Sequence, residues 1–446
     1  MVGNCRELSA PDAEDLRMSN SLLRVMTRER GLFVLAGFVA IGAVHSGAPI
    51  EFALFAMTLV GVALFHDNTF SVALTGLAVV TLYKLIFTGF KAGTGFGGLV
   101  VHLEHEWVIL TNLFGLLMGF ALLSKHFEES KIPGELPRYL PREWKGGFAL
   151  LVIVFVLSSF LDNIAAALIG TTMANVVFRG KVHIGYLAGI VAASNAGGSG
   201  SVVGDTTTTM MWIAGVSPLD VLPAYIAAVV ALVICGIPAA LQQHRYSPIS
   251  TEPTAGSSVD WARVAIVIIV LGAAIAANVA VNVAFPEAVR HFPLIGAAVW
   301  LALLATAPLR KPDWSLLPET FKGTVFLLSL VTIASMMPVE ELPPASWHSA
   351  LGLGFISAAF DNIPLTALAL QQGGYDWGVL AYAVGFGGSM IWFGSSAGVA
   401  LSNIFPEAKS VGRWIRDGWH VPVAYVIGFF ALLAVLGWHP SVTGPM

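Results

Sequence analysis

Residues 183–215 read HIGYLAGIVAASNAGGSGSVVGDTTTTMMWIAG. A bilayer core of about 30 Å takes about 20 helical residues, so this largely apolar run is too long for one straight crossing. Gly197, Gly198, Gly200, Gly204 and Asp205 interrupt it. A helix broken at mid-membrane is tolerated only where protein or a water-filled cavity satisfies the freed backbone groups, and that is the form expected here. Residues 377–405 repeat the pattern with Gly385, Gly387, Gly388 and Gly394. Two other overlong runs, 147–178 and 345–372, carry polar residues near their centres: Ser158, Ser159, Asp162 and Asn163 in one, Ser357, Asp361, Asn362 and Pro364 in the other. Asp or Asn before a new helical run is an N-cap, and Pro in the first turn fits the same reading. Each of these two runs is expected to be a re-entrant hairpin.

The rest of the chain agrees. Of 446 residues, 56% are apolar and 11% charged, whereas a soluble domain carries about a quarter charged residues. Further spans are expected near 31–47, 50–66, 69–89, 107–126, 218–240, 262–284, 292–308, 314–338 and 418–438. The fold class is an all-α polytopic membrane protein of about eleven transmembrane helices plus two hairpins, with two helices broken at mid-membrane. A cytoplasmic tail (1–30) leads into a first membrane half (31–240), a cytoplasmic linker (241–261) and a second half (262–446). Threaded with the N-terminus cytoplasmic and the C-terminus outside, the inner loops hold 18 of the 23 Lys and Arg, as the positive-inside rule requires. The tail lacks the apolar core and cleavage site of a signal peptide. Cys5 and Cys235 are too few for a disulfide framework, and no basic stripe suits nucleic acid.

The halves resemble each other. Phe160-Leu161-Asp162-Asn163-Ile164 faces Ala359-Phe360-Asp361-Asn362-Ile363 at an offset of 199, and Gly197-Gly198-Ser199 faces Gly387-Gly388-Ser389 at an offset of 190. In the threading one hairpin enters from inside and the other from outside, an inverted repeat. Paired interrupted segments are the best sequence pointer to a secondary transporter's binding site.

Only Asp162, Asp205 and Asp361 are acids deep in apolar sequence, and all three sit in these segments. Intramembrane acids face cavities and mark ion or proton pathways. Burial favours the protonated carboxyl and a nearby cation the ionised one, so one Asp can hold a proton or a sodium ion in turn. Hydroxyls and amides around the breaks, from Asn195 and Ser199 to Thr206, Thr207, Ser389, Ser395 and Ser396, are hard donors suited to a small hard cation. The four segments contain no Lys or Arg. Asn163 and Asn362 are read as N-caps, ion contacts or both. About half of the hydroxyls of Thr206 to Thr209 are expected to bond their own backbone, with Thr206 and Thr207 the better ligands.

The stretch Ser194-Asn195-Ala196-Gly197-Gly198 followed by Gly204-Asp205-Thr206-Thr207-Thr208-Thr209-Met210-Met211-Trp212 resembles the NhaD-type sodium/proton antiporters of the ion transporter (arsenite/citrate/NhaD) superfamily. So do Met336-Met337-Pro338-Val339-Glu340, Asp361-Asn362-Ile363-Pro364-Leu365 and Gly394-Ser395-Ser396-Ala397-Gly398. The resemblance implies exchange of sodium or lithium for protons. It puts functional positions at Asp162, Asn195, Asp205, Thr206, Thr207, Ser357, Asn362, Ser395 and Ser396. It also implies hairpin tips that meet helix breaks, and a transport domain moving against the scaffold of a homodimer.

The reading that results is a proton-coupled sodium antiporter in a bacterial inner membrane, not an enzyme, with no cofactor and with lipid and the transported ions as its partners. Deprotonated Asp162 and Asp205 hold the sodium, and Asp361 with Ser395 and Ser396 forms a related second locus. The alternative within transport is a sodium-coupled carboxylate or other anion carrier. An intramembrane aspartyl protease would leave the repeat unexplained, and a channel would need a continuous pore.

Overall fold

A computed structural model describes residues 30–65, 68–91, 93–135, 139–249, 258–284 and 291–441. The tail before Arg30, His66, residues 250–257 of the expected linker and Arg290 lie outside the described residues. Among the described residues the regular structure is helical, and one isolated bridge, Phe90 to Gly93, is the sole extended pairing.

The chain opens with helices α1 (Arg30–His45), α2 (Ile50–Leu64), α3 (Thr69–Tyr83, continuing into a π-turn at Lys84–Thr88) and α4 (Gly95–Glu129). Two short helices, α5 (Trp144–Ser158) and α6 (Asn163–Val177), then pack against each other across a four-residue break. Helices α7 (Ile184–Ser199) and α8 (Thr206–Ile213) follow in succession and scarcely touch, before α9 (Ala224–Tyr246). The second half runs α10 (Trp261–Ala284), α11 (Leu294–Thr306) and α12 (Leu317–Ser335). It continues with the short helices α13 (Trp347–Ser357) and α14 (Asn362–Gln372), then α15 (Trp377–Gly387), α16 (Ser396–Ile404) and α17 (His420–Leu436).

Four helical stretches among the described residues are long and apolar enough to cross a membrane: Thr69–Thr88, Gly95–Glu129, Pro218–Tyr246 and Trp314–Ser335. A fifth forms if Val411–Asp417 and His420–Leu436, bent by 59°, count as one. Large apolar side chains such as Phe38, Ile86, Phe87, Leu301 and Val435 point outward, while Ser194, Asn195, Ser199, Asp205 and Thr207 are buried. An apolar exterior around a polar interior suits lipid as the solvent; this is an all-helical polytopic membrane protein.

The helices fall into two groups. Helices α2, α3, α4, α10, α11 and α12 pack on one another, and α5 to α9 with α13 to α17 form the other bundle. The bundles meet where α12 packs on α14 and α4 on α8 and α6. Within the second bundle the halves interlock, since α16 packs on α6, and α14 on α8. At one rim of the first bundle, Arg263 bonds Glu129 at 2.7 Å, and the Arg310 guanidinium, 2.8 Å from Asp260, holds that carboxyl below the usual carboxylate range.

Buried hydroxyls tie the second bundle together. Tyr186 on α7 is fully buried and its hydroxyl donates to the Gly147 carbonyl at 2.7 Å. Tyr186→Phe leaves that carbonyl without its donor, a cost of about 1–3 kcal/mol. The purified variant is expected to melt several degrees below the unsubstituted protein in detergent, with its oligomeric profile unchanged.

Two boundaries depart most from expectation: the helix expected to end at 240 continues to Tyr246, six residues into the expected linker 241–261, and another starts early. The span read as 107–126 begins twelve residues earlier, at Gly95. Glu104, His105 and Glu106 look like loop in sequence, yet they continue the helix; His105 bonds the Val101 carbonyl of its own helix, while Glu106 and, one turn before it, His102 have partners elsewhere in the chain. Glu106 accepts from Gln371 at 3.2 Å, and His102 pairs with Ser335 at 3.0 Å.

Candidate functional site

The site is built where the two breaks meet the two short helix pairs. Asp162 has the extended ψ of 143° that a cap requires, and its Oδ2 accepts from the Ile164 amide at 3.2 Å. Asp361, with ψ 141°, accepts from Ile363 at 3.1 Å in the same manner. The Asp residues are therefore the N-caps. Asn163 and Asn362, read from sequence as caps, ion contacts or both, are not the caps but the first helical residues, and both side chains are buried. A cap needs a non-helical backbone, and in each pair only the first residue has it.

Each cap has a second bond that reaches a break. Thr206 Oγ1 donates to Asp162 Oδ1 at 3.1 Å, and Ser396 Oγ donates to Asp361 Oδ2 at 2.8 Å. Thr206 and Ser396 are the first residues of α8 and α16. The residues before them, Asp205 and Ser395, cap those helices: Asp205 Oδ1 accepts from the Thr207 amide at 2.9 Å, and Ser395 Oγ from the Gly398 amide at 3.3 Å. Asp205 is 1% exposed. Its Oδ2 and the neighbouring Thr207 Oγ1 have no hydrogen-bond partner among the described residues.

The hairpin-like pairs are pinned to the breaks by matching bonds. Ser158 Oγ donates to the Ser194 carbonyl at 2.6 Å, and Ser357 Oγ to the Val384 carbonyl at 2.8 Å. Backbones also cross at matching points: a side chain at Gly197 would overlap the Phe155 carbonyl, and one at Gly387 the Gly354 carbonyl. Ser357, read as an ion contact by resemblance, thus spends its hydroxyl proton on backbone. The Thr208 hydroxyl reaches Ser201 O and Asp205 O, and the Thr209 hydroxyl reaches Val202 O at 2.9 Å. These two threonines staple the loop, which leaves Thr206 and Thr207 beside the carboxylates.

Asn195 links the halves. It accepts from Asn163 Nδ2 at 3.0 Å and donates to Ser389 Oγ at 2.9 Å. The Asn195 to Ser389 bond, 194 residues apart in the chain, is a contact between the two breaks that sequence reading did not pair, although the offset of 190 put Ser389 at the matching position to Ser199. Asp162, Asn163, Asn195, Asp205, Thr206 and Thr207 are therefore connected through bonds or adjacent positions, and Asp361, Ser395 and Ser396 form a second group at the other break.

Two cavities approach this centre along the seam between the bundles. One, about 480 Å³, is lined by Asp162 and Ser396 and by Lys125, Glu128 and Glu319 towards its mouth. The other, about 400 Å³, is lined by Lys91, His102, Glu106 and Gln371 and reaches Met210 on α8. Met210 lies one turn beyond Thr206, about 6 Å along the helix axis. Among the described residues, no group of three or more His, Cys, Asp or Glu is placed to hold a metal ion, so any cation here would rely on hydroxyl, amide and carbonyl oxygens around one or two carboxylates.

No family model matches the chain. It is 27% identical over 393 residues to Sodium/proton antiporter 1 of Arabidopsis thaliana, a match covering 76% of this chain but only 64%, less than two thirds, of that protein. It is 27% identical over 362 residues to the Na(+)/H(+) antiporter NhaD of Vibrio parahaemolyticus, covering 67% of this chain and 84% of that one. A like match, 27% over 391 residues, reaches 77% of NhaD from Alkalimonas amylolytica and 73% of this chain. Over most of its length the chain is thus similar to proteins described as sodium/proton antiporters, two of them NhaD proteins, at 26–27% identity.

Proposed function

We propose that the protein is a secondary transporter, not an enzyme, that exchanges sodium or lithium for protons through its buried carboxylates. One observation carries the reading: Asp205 Oδ2 and Thr207 Oγ1 are buried at a helix break without a partner. A buried carboxylate oxygen without a protein donor in hydrogen-bond geometry calls for a proton, a cation or a water, and the first two are what an exchanger trades. In the proposed cycle, deprotonated Asp205 and Asp162 hold the cation with Thr206, Thr207 and the unwound carbonyls. Protonation of the same carboxyls then releases it. Asp361 with Ser395 and Ser396 is the related second locus, and Asn163, Asn195 and Asn362 position the breaks or contact the ion. The four interrupted segments hold no Lys or Arg, so a carboxylate cargo would lack a cationic partner there.

The architecture that fits this cycle is an inverted repeat of about eleven crossings, with α5–α6 and α13–α14 as re-entrant hairpins: at 1.5 Å per residue each arm falls short of a bilayer core of about 30 Å. The halves are then 31–240 and 262–446, joined by the linker 241–261, with the tail 1–30 cytoplasmic, the C-terminus outside and a bacterial inner membrane around them. The cavity reaching Asp162 opens on the Lys- and Arg-rich side, the cytoplasm in this threading, and one turn of α8 closes the other route. A homodimer through the bundle of α2–α4 and α10–α12 completes the proposal.

The test is direct. In vesicles with an imposed proton gradient, added sodium or lithium is expected to dissipate it at some pH between about 6.5 and 9. Failure of both ions throughout that range overturns the antiport reading, and saturable uptake of labelled citrate or succinate would replace it with an anion carrier.

A further inference from the structure

At the offset of 190 the two breaks share Gly197/Gly387, Gly198/Gly388, Ser199/Ser389 and Gly204/Gly394, and one of the positions where they differ, Asn195/Gly385, lies against Asp205. In the first half Asn163 donates its amide to Asn195 at 3.0 Å. Its counterpart at the offset of 199 is Asn362, and the counterpart of Asn195 at the offset of 190 is Gly385. The second half thus has no side chain where the first has an amide. Asn362 Nδ2 is accordingly buried without a partner among the described residues, as is Asp205 Oδ2. A Cβ on Gly385 would stand 3.4 Å from Asp205 Oδ2 and 3.5 Å from Ser199 Cβ, ordinary contact distances with no overlap. The same glycine adjoins one orphaned group and, by the offset, stands where the other would find the partner that Asn195 gives Asn163.

We propose that the space over Gly385, between the Asp205 carboxylate and the Asn362 amide, is the seat of the dehydrated alkali cation, and that the missing side chain at this position sets which ion fits. The inference rests on the cation-exchange reading above and goes further by assigning ion size selectivity to one residue. The chemistry suits a monovalent hard cation: a carboxylate oxygen for charge, the Thr207 hydroxyl for a neutral donor, and an amide that presents either end. Turned one way, Asn362 offers its NH2 to the carboxylate; turned the other, it offers its oxygen to the ion. Asn195 fills the equivalent position in the first half with its bonds to Asn163 and Ser389, so that side is structural and the Gly385 side is the seat.

Two substitutions test this. Gly385→Ala narrows the seat by one methyl group and is expected to weaken half-saturation by sodium about tenfold, the discrimination one methylene supports, while lithium, the smaller ion, is affected less. The lithium-to-sodium preference therefore rises. Gly385→Asn restores the first half's arrangement, supplies the missing partners and should abolish exchange with the melting temperature kept or raised. Sodium and lithium should raise the melting temperature of the purified unsubstituted protein but not that of Gly385→Asn, a readout that does not require transport. If the unsubstituted protein fails to exchange cations for protons, the antiport reading falls. If it exchanges but Gly385→Ala keeps its ion ratio, or Gly385→Asn still exchanges or is still stabilised by sodium, this inference alone falls. A Gly385→Ala protein that does not fold would overturn it as well, since the seat would then be packed.

Discussion

Replacing Asp205 by Asn will reduce cation-driven proton movement to background, at least about a hundredfold, and leave a folded protein. The two halves of that expectation come from the two oxygens of one side chain. Oδ1 caps α8 through the Thr207 amide at 2.9 Å, and Asn caps helices about as well as Asp, so the helix start survives. Oδ2 has no partner among the described residues; converting it to an amide removes the unpartnered anionic oxygen of the proposed seat and, with it, the proton that must leave when the ion arrives. No buried charge is left unpaired by the change, so the usual destabilising route is absent. Asp162→Asn and Asp361→Asn should act less completely. Both oxygens of each are already bonded, Asp162 to Ile164 and Thr206, Asp361 to Ile363 and Ser396. Flux in vesicles, read beside the melting temperature of the same preparations, checks the prediction. Sodium-dependent flux in Asp205→Asn at even a tenth of the original rate would move the cation site elsewhere.

The candidate site was legible in sequence because its parts are chemically costly. An acid, an amide and a cluster of glycines inside an apolar run have few structural excuses, and the boundaries they imply, 147–178, 183–215, 345–372 and 377–405, come within three residues of helix pairs that begin at Trp144, Ile184, Trp347 and Trp377. Their pairing across the molecule was less visible. The Asn195 to Ser389 bond and the Glu106 to Gln371 bond join residues 194 and 265 positions apart, and nothing local announces either one. The start of α4 was lost for a related reason: Glu104, His105 and Glu106 read as loop, and the distant partner of Glu106, Gln371, is invisible in local sequence. The confusion of Asp with Asn at the caps has a different origin, because adjacent residues with equal capping propensity differ only in backbone conformation, which composition does not encode.

The second large effect is on folding and concerns the crossings. Gly197→Ala and Gly387→Ala should each prevent accumulation of folded protein, whereas Gly352→Ala should be harmless. At Gly197 an added methyl meets the Phe155 carbonyl and at Gly387 the Gly354 carbonyl; these are backbone atoms of the helix that pairs with each break, and no rotamer change relieves the clash. Overpacking that side chains can absorb costs about 1–3 kcal/mol, and here the two backbones themselves must separate. Separation would also pull Ser158 from the Ser194 carbonyl and Ser357 from the Val384 carbonyl, so the cost compounds with lost buried hydrogen bonds. Gly352, on α13 only two residues before Gly354, has nothing within 4 Å of an added Cβ, and Ala there should gain up to about 1 kcal/mol of helix propensity. Size-exclusion profiles and melting curves of the three variants distinguish close crossing from general sensitivity of these helices to substitution. Equal damage from Gly352→Ala, or a Gly197→Ala protein that melts with the original, would mean that the crossings are looser than the carbonyl contacts require.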